Sequence, residues 1–163
     1  MSLNEIETKI LTFLYDERVR DIYHPPHIDR LTDLTNLPHE RVELIVKFLN
    51  LEGYVYTYYA PGPVKITPSG IDFVEGIFDE KRLGKIRQDR NDVLGALKSV
   101  HTDCGDKWTN DVHLSGIVGM DDRLYLYSIV DYLAQKNLLE VRRRARGSFH
   151  ARISNFGYQS TST

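Results

Sequence analysis

The sequence has few of the features that mark secreted or membrane proteins. Its 163 residues include one cysteine, Cys104, so no disulfide can form within the chain, and a reducing compartment fits best. No apolar run approaches the roughly 18 residues of a membrane span. The N-terminus, Met-Ser-Leu-Asn-Glu, lacks the basic and then apolar pattern of a signal peptide. We therefore expect a cytoplasmic protein that does not contact a membrane.

Motifs for catalysis and metal binding are also missing. The chain has no phosphate-binding glycine loop, no nucleophile elbow and no His-Glu-x-x-His run, so we expect neither an enzyme nor a cofactor. The pairs His24/His27 and His101/Cys104 have spacings that suit a metal, but neither has the second pair of a zinc module. Two prolines inside the first pair indicate a chain reversal instead, and no metal site is expected.

The small net charge of −2 conceals two oppositely charged halves. Residues 1–78 carry 7 Lys and Arg against 12 Asp and Glu, a difference of −5, whereas residues 79–163 carry 14 against 11, a difference of +3. The hydrophobic share of 41% predicts a packed core, and the length allows one medium domain or two small ones. Because their charges differ, the halves are expected to meet different partners.

An internal repeat indicates two copies of one small fold. Residues 45–49 (IVKFL) are echoed by residues 129–133 (IVDYL), and residues 66–70 (ITPSG) by residues 153–157 (ISNFG). Apolar spacing in the first copy predicts helices over 3–16, near 28–34 and over 38–51, then strands over 54–59 and 64–67. The second copy predicts helices over 91–100, 110–118 and 121–136, then strands over 138–146 and 149–154. The predicted class is α+β, mainly α with small β-hairpins.

This order of helices followed by a hairpin is the winged-helix arrangement. Residues 44–55 and 65–70 are similar to the ending of many archaeal and bacterial regulators, a long helix, a glycine and a strand, then a strand and Thr-Pro-x-Gly. The chain as a whole resembles the winged-helix transcriptional regulator superfamily. The resemblance implies two tandem winged-helix domains, over 1–78 and 91–163, that bind double-stranded DNA and regulate transcription.

Between the copies, residues 79–90 are predicted to form a linker helix. Apolar residues continue through this region at largely helical intervals, at Ile71, Phe73, Val74, Ile77, Phe78, Leu83 and Ile86. They exceed what one small domain needs to cover, so the region predicts contact between the domains, a homodimer interface or a surface for a protein partner. An ordinary closing helix of the first domain is an equal alternative.

The strongest functional signal is a strand filled with arginine. Alternate residues of a strand face opposite sides, which places Arg142, Arg144 and Arg146 on the outer face of the second hairpin. Arginine forks suit phosphate groups. The predicted contacts to the DNA backbone are Arg142, Arg143, Arg144, Arg146, His150 and Arg152. Four to five phosphate contacts predict a slope of roughly −4 for log affinity against log salt.

The helices expected to enter the DNA major groove suit that role less well. Each opens with carboxylates, Glu40 in the first copy and Asp121 and Asp122 in the second, which cap a helix but repel phosphates. Further DNA contacts are predicted at Arg41, Lys47 and Arg123.

Three alternatives stay open at this point. The first is a protein-interaction scaffold without DNA binding, which acidic helices and ten tyrosines would suit. The second is binding to RNA, because phosphate contacts do not distinguish nucleic acids. In the third, the arginine face is only a solvated strand or a salt-bridge partner for the acidic half.

Overall fold

The computed structural model describes residues 3–59, 61–144 and 147–160. Within these ranges the chain is mainly helical with small antiparallel sheets, which confirms the predicted α+β class. It divides into two compact units, Met1–Phe78 and Asp79–Thr163, called here the first and the second unit. No helix in the described ranges combines the length and the apolar character needed to cross a bilayer.

The first unit consists of helices around a two-stranded hairpin. Its elements are α1 (Glu5–Arg20), α2 (Ile28–Thr35), α3 (His39–Leu51), β1 (Val55–Thr57), β2 (Val64–Ile66) and α4 (Pro68–Glu75). A capping box between Asn4 and Glu7 starts α1. Apolar residues at helical spacing turn inward from all four helices and form the core with the hairpin, among them Ile10, Leu14, Leu31, Val42, Leu49, Val55, Ile66 and Ile71.

The hairpin of the first unit is short and antiparallel. Val55 lies opposite Ile66 and Thr57 opposite Val64, so the buried side chains share one face. An isolated bridge joins His27 to Pro63 and lays the segment before α2 along the outer side of β2.

The second unit repeats this order with a longer hairpin. Its elements are α5 (Glu80–Cys104), β3 (Thr109–Asn110), α6 (Asp111–Val118), α7 (Arg123–Gln135), β4 (Leu139–Arg143), β5 (Phe149–Ile153) and α8 (Asn155–Ser160). The three strands form one antiparallel sheet in the order β3-β5-β4. Its buried face, with Phe149, Ala151 and Ile153, joins the apolar faces of the helices in the core.

The region predicted as a linker helix is helical and continues into the second unit. Residues 79–90 are the first part of α5, which continues without a break through the predicted helix 91–100. The helical spacing that was expected to run from 71 to 86 is interrupted between α4 and α5, where Asp79 caps the new helix. Most of its apolar residues are covered, since Ile71, Val74 and Ile86 are buried, whereas Ile77 is 56% exposed.

Two elements were missed because they are very short. β3 has two residues and is recognisable only by its pairing of Thr109 with Ala151. α8 has six residues and follows the second hairpin. α1 also runs four residues further than expected, to Arg20, so that the chain reversal begins at Asp21.

The sequence repeat reappears as the same hydrogen bonds in both units. Thr67 Oγ1 donates to the Gly53 carbonyl at 2.6 Å and accepts from the Gly70 N–H at 3.2 Å. Ser154 Oγ donates to the Asn137 carbonyl at 2.6 Å and accepts from the Gly157 N–H at 2.9 Å. Each hydroxyl therefore ties the end of the hairpin to the turn before it.

Glycine is required at the last position of this motif. A Cβ on Gly70 would collide with the Tyr54 carbonyl, and one on Gly157 would collide with the Leu138 carbonyl. The close approach of backbone to backbone leaves room for no side chain. This explains why the phrase ending in glycine recurs after both hairpins.

Candidate nucleic-acid interface

The arginine-rich ribbon of β4 and β5 has two chemically different faces. Register pairs Leu139 with Ile153, Val141 with Ala151 and Arg143 with Phe149 on the inner face, and Glu140 with Arg152 and Arg142 with His150 on the outer face. The predicted alternation is therefore confirmed for the described part of the ribbon. Arg146, a predicted contact, lies outside the described residues.

Trp108 organises the outer face. It precedes β3, and the guanidinium of Arg142 lies over its ring with the carbon 4.1 Å from the centroid. The guanidinium of Arg152 lies 4.8 Å from the same centroid. Both distances fall within the range of cation–π attraction, which holds these flexible side chains beside the indole.

Arg152 is neutralised on this face. Its Nη2 and Nε atoms donate to Glu140 Oε2 at 2.7 and 3.0 Å, and Nη1 lies 3.6 Å from Asp106 Oδ2. A guanidinium engaged by two carboxylates has fewer N–H donors available for a phosphate, and its charge is already compensated. The prediction that Arg152 contacts DNA is therefore not favoured by its surroundings.

Arg143 belongs to the inner face and is also paired. Its Nη2 donates to Asp131 Oδ1 at 2.8 Å, and Asp131, on α7, is buried. Gln135 Nε2 donates to the second carboxylate oxygen at 2.6 Å. Arg143 thus compensates a buried charge, and a role in stability explains it better than a contact to DNA.

Arg142 and Arg144 are exposed cations in the described part of this hairpin. The N–H of Arg144 donates to the Ser148 carbonyl at 2.9 Å, which fixes its backbone next to the ribbon. Within the ranges that the structure describes, neither guanidinium has a carboxylate partner. Beside them, His150 is half-buried and its Nδ1 has no hydrogen-bond partner among described atoms.

The middle of α7 is covered, whereas its first residues, Arg123 and Leu124, are exposed. All residues from Leu126 to Leu133 are buried. The ring of Phe149 stacks on Tyr127 with centroids 5.1 Å apart, and Arg143 covers Asp131. At the start of the helix, Arg123 forms an ion pair with the buried Asp111. This predicted DNA contact is therefore also engaged by a carboxylate.

In the first unit, the predicted contacts Arg41 and Lys47 lie exposed on α3. Glu40 and Leu44 are exposed on the same helix, so its solvent face mixes both charges with an apolar side chain. The structure does not gather these cations into a basic patch. A groove that sequence reasoning missed runs between this face and the hairpin.

The candidate metal pairs have other contacts. His24 Nδ1 lies 2.8 Å from Asp21 Oδ2, and His27 Nδ1 lies 2.9 Å from Asp29 Oδ2. Cys104 is exposed at the end of α5. In the searched part of the chain, no three His, Cys, Asp or Glu side chains are grouped so that they could hold a metal ion.

Sequence patterns also indicate two residues that organise this region, Asp131 and Trp108. Asp131 is a carboxylate inside an apolar run, Ile-Val-Asp-Tyr-Leu, and such a residue needs a buried partner. Trp108 lies two residues from Asp106, just before a strand. Comparison with known proteins adds nothing to these signals, because no protein-family model and no curated protein matches the chain.

Proposed function

We propose that the chain is a tandem winged-helix protein. Three helices followed by a hairpin in each unit support this, and so does the sheet order β3-β5-β4, in which the short strand before α6 pairs with the returning strand. The bridge from His27 to Pro63 is the counterpart in the first unit. The shared hydrogen bonds of Thr67 and Ser154 support an origin of both units from one fold.

The proposed function is binding to the backbone of double-stranded DNA by the hairpin of the second unit, in the service of transcriptional regulation. The observation that carries it is Arg142, held over Trp108 on the outer face with no carboxylate partner in the described ranges. Arg144 lies next to it and is likewise exposed. Two exposed guanidinium groups, one of them held in place over Trp108, suit two phosphates.

The ion pairs make this binding weaker and less sequence-specific than the sequence suggests. Arg143, Arg152 and Arg123 are each engaged by carboxylates, and α7 is buried from Leu126 to Leu133. Phosphate contacts position a protein on a duplex but carry no sequence information. With Arg142 and Arg144 as the contacts, the salt slope falls from roughly −4 to about −2, at 0.9 per phosphate.

A titration of a random 20-base-pair duplex, followed by fluorescence anisotropy at 50 and 200 mM salt, tests the proposal. The wild-type chain is expected to bind with a slope of about −2, and the double variant Arg142→Ala/Arg144→Ala to bind about tenfold more weakly with a slope near zero. Arg87→Ala is the matched control, because Arg87 is an exposed cation of the same unit on α5. It is expected to leave both quantities nearly unchanged.

Three outcomes would overturn the assignment. Absence of binding at 50 mM salt would exclude the DNA function. Equal losses in the double variant and in Arg87→Ala would show that overall charge, rather than this ribbon, attracts the duplex. Tighter binding to duplex RNA of the same sequence would show that the preferred ligand is RNA rather than DNA.

A further inference from the structure

The first unit contains a groove of about 720 Å³ between α3 and its hairpin. Leu44 and Lys47 from α3 form one wall, and Tyr59 and Pro61 from the hairpin form the other. Leu44 is 60% exposed and Tyr59 is 64% exposed, although both are large apolar or aromatic side chains. Contiguous exposed apolar surface of this kind marks an interaction site.

The second unit shows why this groove is open. α3 and α7 have 13 residues each and begin 84 positions apart, so Glu43 and Lys47 correspond to Tyr127 and Asp131. In the second unit Phe149 stacks on Tyr127, and Arg143 pairs with Asp131. The hairpin of that unit therefore covers its own helix.

Gly62 is the residue that leaves the helix of the first unit uncovered. The bridge from His27 to Pro63 corresponds to the pairing of Asn110 with His150, which aligns Gly62 with Phe149. A glycine supplies no ring to lie on α3. The surface that the second unit covers with its own side chains is thus open to another molecule in the first.

The two ends of the groove carry opposite charges. Glu40 and Glu43 line it toward the start of α3, and Lys47 lines it toward the end. Seven residues of helix separate Glu40 from Lys47 by about 10 Å. The first unit as a whole has a charge of −5, since residues 1–78 carry 7 basic and 12 acidic side chains, and this favours approach of a basic ligand.

We propose that the groove binds a peptide segment of a partner protein. The segment carries a large apolar side chain that packs against Leu44 and Tyr59, as Phe149 packs in the second unit. A Lys or Arg on one side of it faces Glu40 and Glu43, and an Asp or Glu on the other side faces Lys47. This function is separate from DNA binding and uses the other unit.

Selection of random 12-residue peptides displayed on phage, with the full chain as bait, tests the proposal. The enriched peptides are expected to share an apolar residue between a basic and an acidic one. A labelled synthetic copy is then titrated by anisotropy. Leu44→Glu is expected to weaken its binding at least tenfold. Leu51→Glu, on the same helix and more exposed to solvent but outside the groove, is expected to leave it unchanged.

Charge reversal sharpens the test. Lys47→Glu is expected to weaken binding of the selected peptide and to strengthen binding of a copy whose acidic residue is replaced by Lys. Arg142→Ala/Arg144→Ala is expected to leave peptide binding intact, which separates this site from the DNA site.

Several results would overturn the proposal. These are selection of no peptide, equal binding by Leu44→Glu, and indifference to charge reversal. A concentration-dependent dimer in sedimentation that Leu44→Glu abolishes would assign the groove to a second copy of the chain instead.

Discussion

α3 and α7 have the same length and the same place in their units, yet only α3 presents a broad face to solvent. Every residue from Leu126 to Leu133 of α7 is buried, whereas α3 exposes Leu44, Lys47 and Leu51. The cause lies outside the helices. Thr67 lies 14 positions after Gly53 in the first unit, and Ser154 lies 17 positions after Asn137 in the second. The hairpins, which differ in length and carry Gly62 in one unit where the other has Phe149, thus decide whether the helix surface is covered.

The largest expected effect tests whether α7 is covered by its own hairpin. Tyr127→Ala removes a fully buried ring that stacks on Phe149 and should lower the free energy of unfolding by about 3–5 kcal/mol. Glu43→Ala, at the matching position of the half-exposed α3 surface, should change it by less than about 0.5 kcal/mol. Urea unfolding followed by circular dichroism measures both. Similar losses of stability in the two variants would show that α7 is not covered more completely than α3 at these matching positions.

Two adjacent arginines should separate stability from binding. Arg143→Ala removes the guanidinium that pairs with the buried Asp131 carboxylate. It should lower the free energy of unfolding by about 2 kcal/mol, below the usual loss for buried pairs because Arg143 itself is 61% exposed. Arg142→Ala removes a cation–π contact and should lose less than about 1 kcal/mol.

The same two variants, titrated with duplex DNA, should give the opposite order of effects. Only Arg142→Ala is expected to weaken binding. Asp131→Asn, added to Arg143→Ala, should restore part of the stability because it removes the buried negative charge that Arg143 faced. Failure of this rescue would show that Arg143 acts through packing instead.

A smaller change in stability tests whether the hydrogen bonds of Thr67 and Ser154 stabilise both units equally. Thr67→Val and Ser154→Ala each remove a hydroxyl that donates to a carbonyl and caps the following helix. Each should lower the free energy of unfolding by about 1 kcal/mol. Thr8→Val, away from this motif, is a control. A loss in only one of the two units would show that the motif has kept its role in that unit alone.

The smallest effect concerns an exposed pair of the first unit. A hydrogen bond from His24 lowers the pKa of Asp21 below its ordinary value of 3.8. A lowered carboxyl pKa stabilises the folded state above pH 3.8, and this contribution is lost as pH falls through the lowered pKa. Asp21→Asn should therefore lose less than about 1 kcal/mol near pH 6, and this loss should shrink as the pH falls below 3.8. A constant difference across this range would contradict the assignment.

Apolar periodicity was sufficient to predict α1, α2, α3, α6, α7 and the alternation of the second hairpin. Val42, Val46 and Leu49 turn one face of α3 inward, as their spacing predicts. The first half of α5 was taken as a linker because charged residues dominate it, while its few apolar residues contribute to a helix that continues to Cys104. β3 gave no signal because two residues show no period.

Whether an arginine of the candidate site has a carboxylate partner depends on tertiary contacts. Local sequence patterns do not reveal these contacts. The partners of Arg143 and Arg152 lie twelve residues away, at Asp131 and Glu140, and become neighbours only once the strand register is set. The groove depends on the absence of a ring at Gly62, which is visible only when the two hairpins are aligned through their bridges. The sequence alone therefore overstated the number of cations available to a polyanion.

The difference of three residues between the hairpins also has an evolutionary consequence. If both units descend from one fold, as proposed above, a short insertion in a hairpin leaves the core of each unit unchanged and is open to selection without loss of folding. An insertion of three residues in the first hairpin is the direct laboratory test of how far hairpin length controls the exposure of α3.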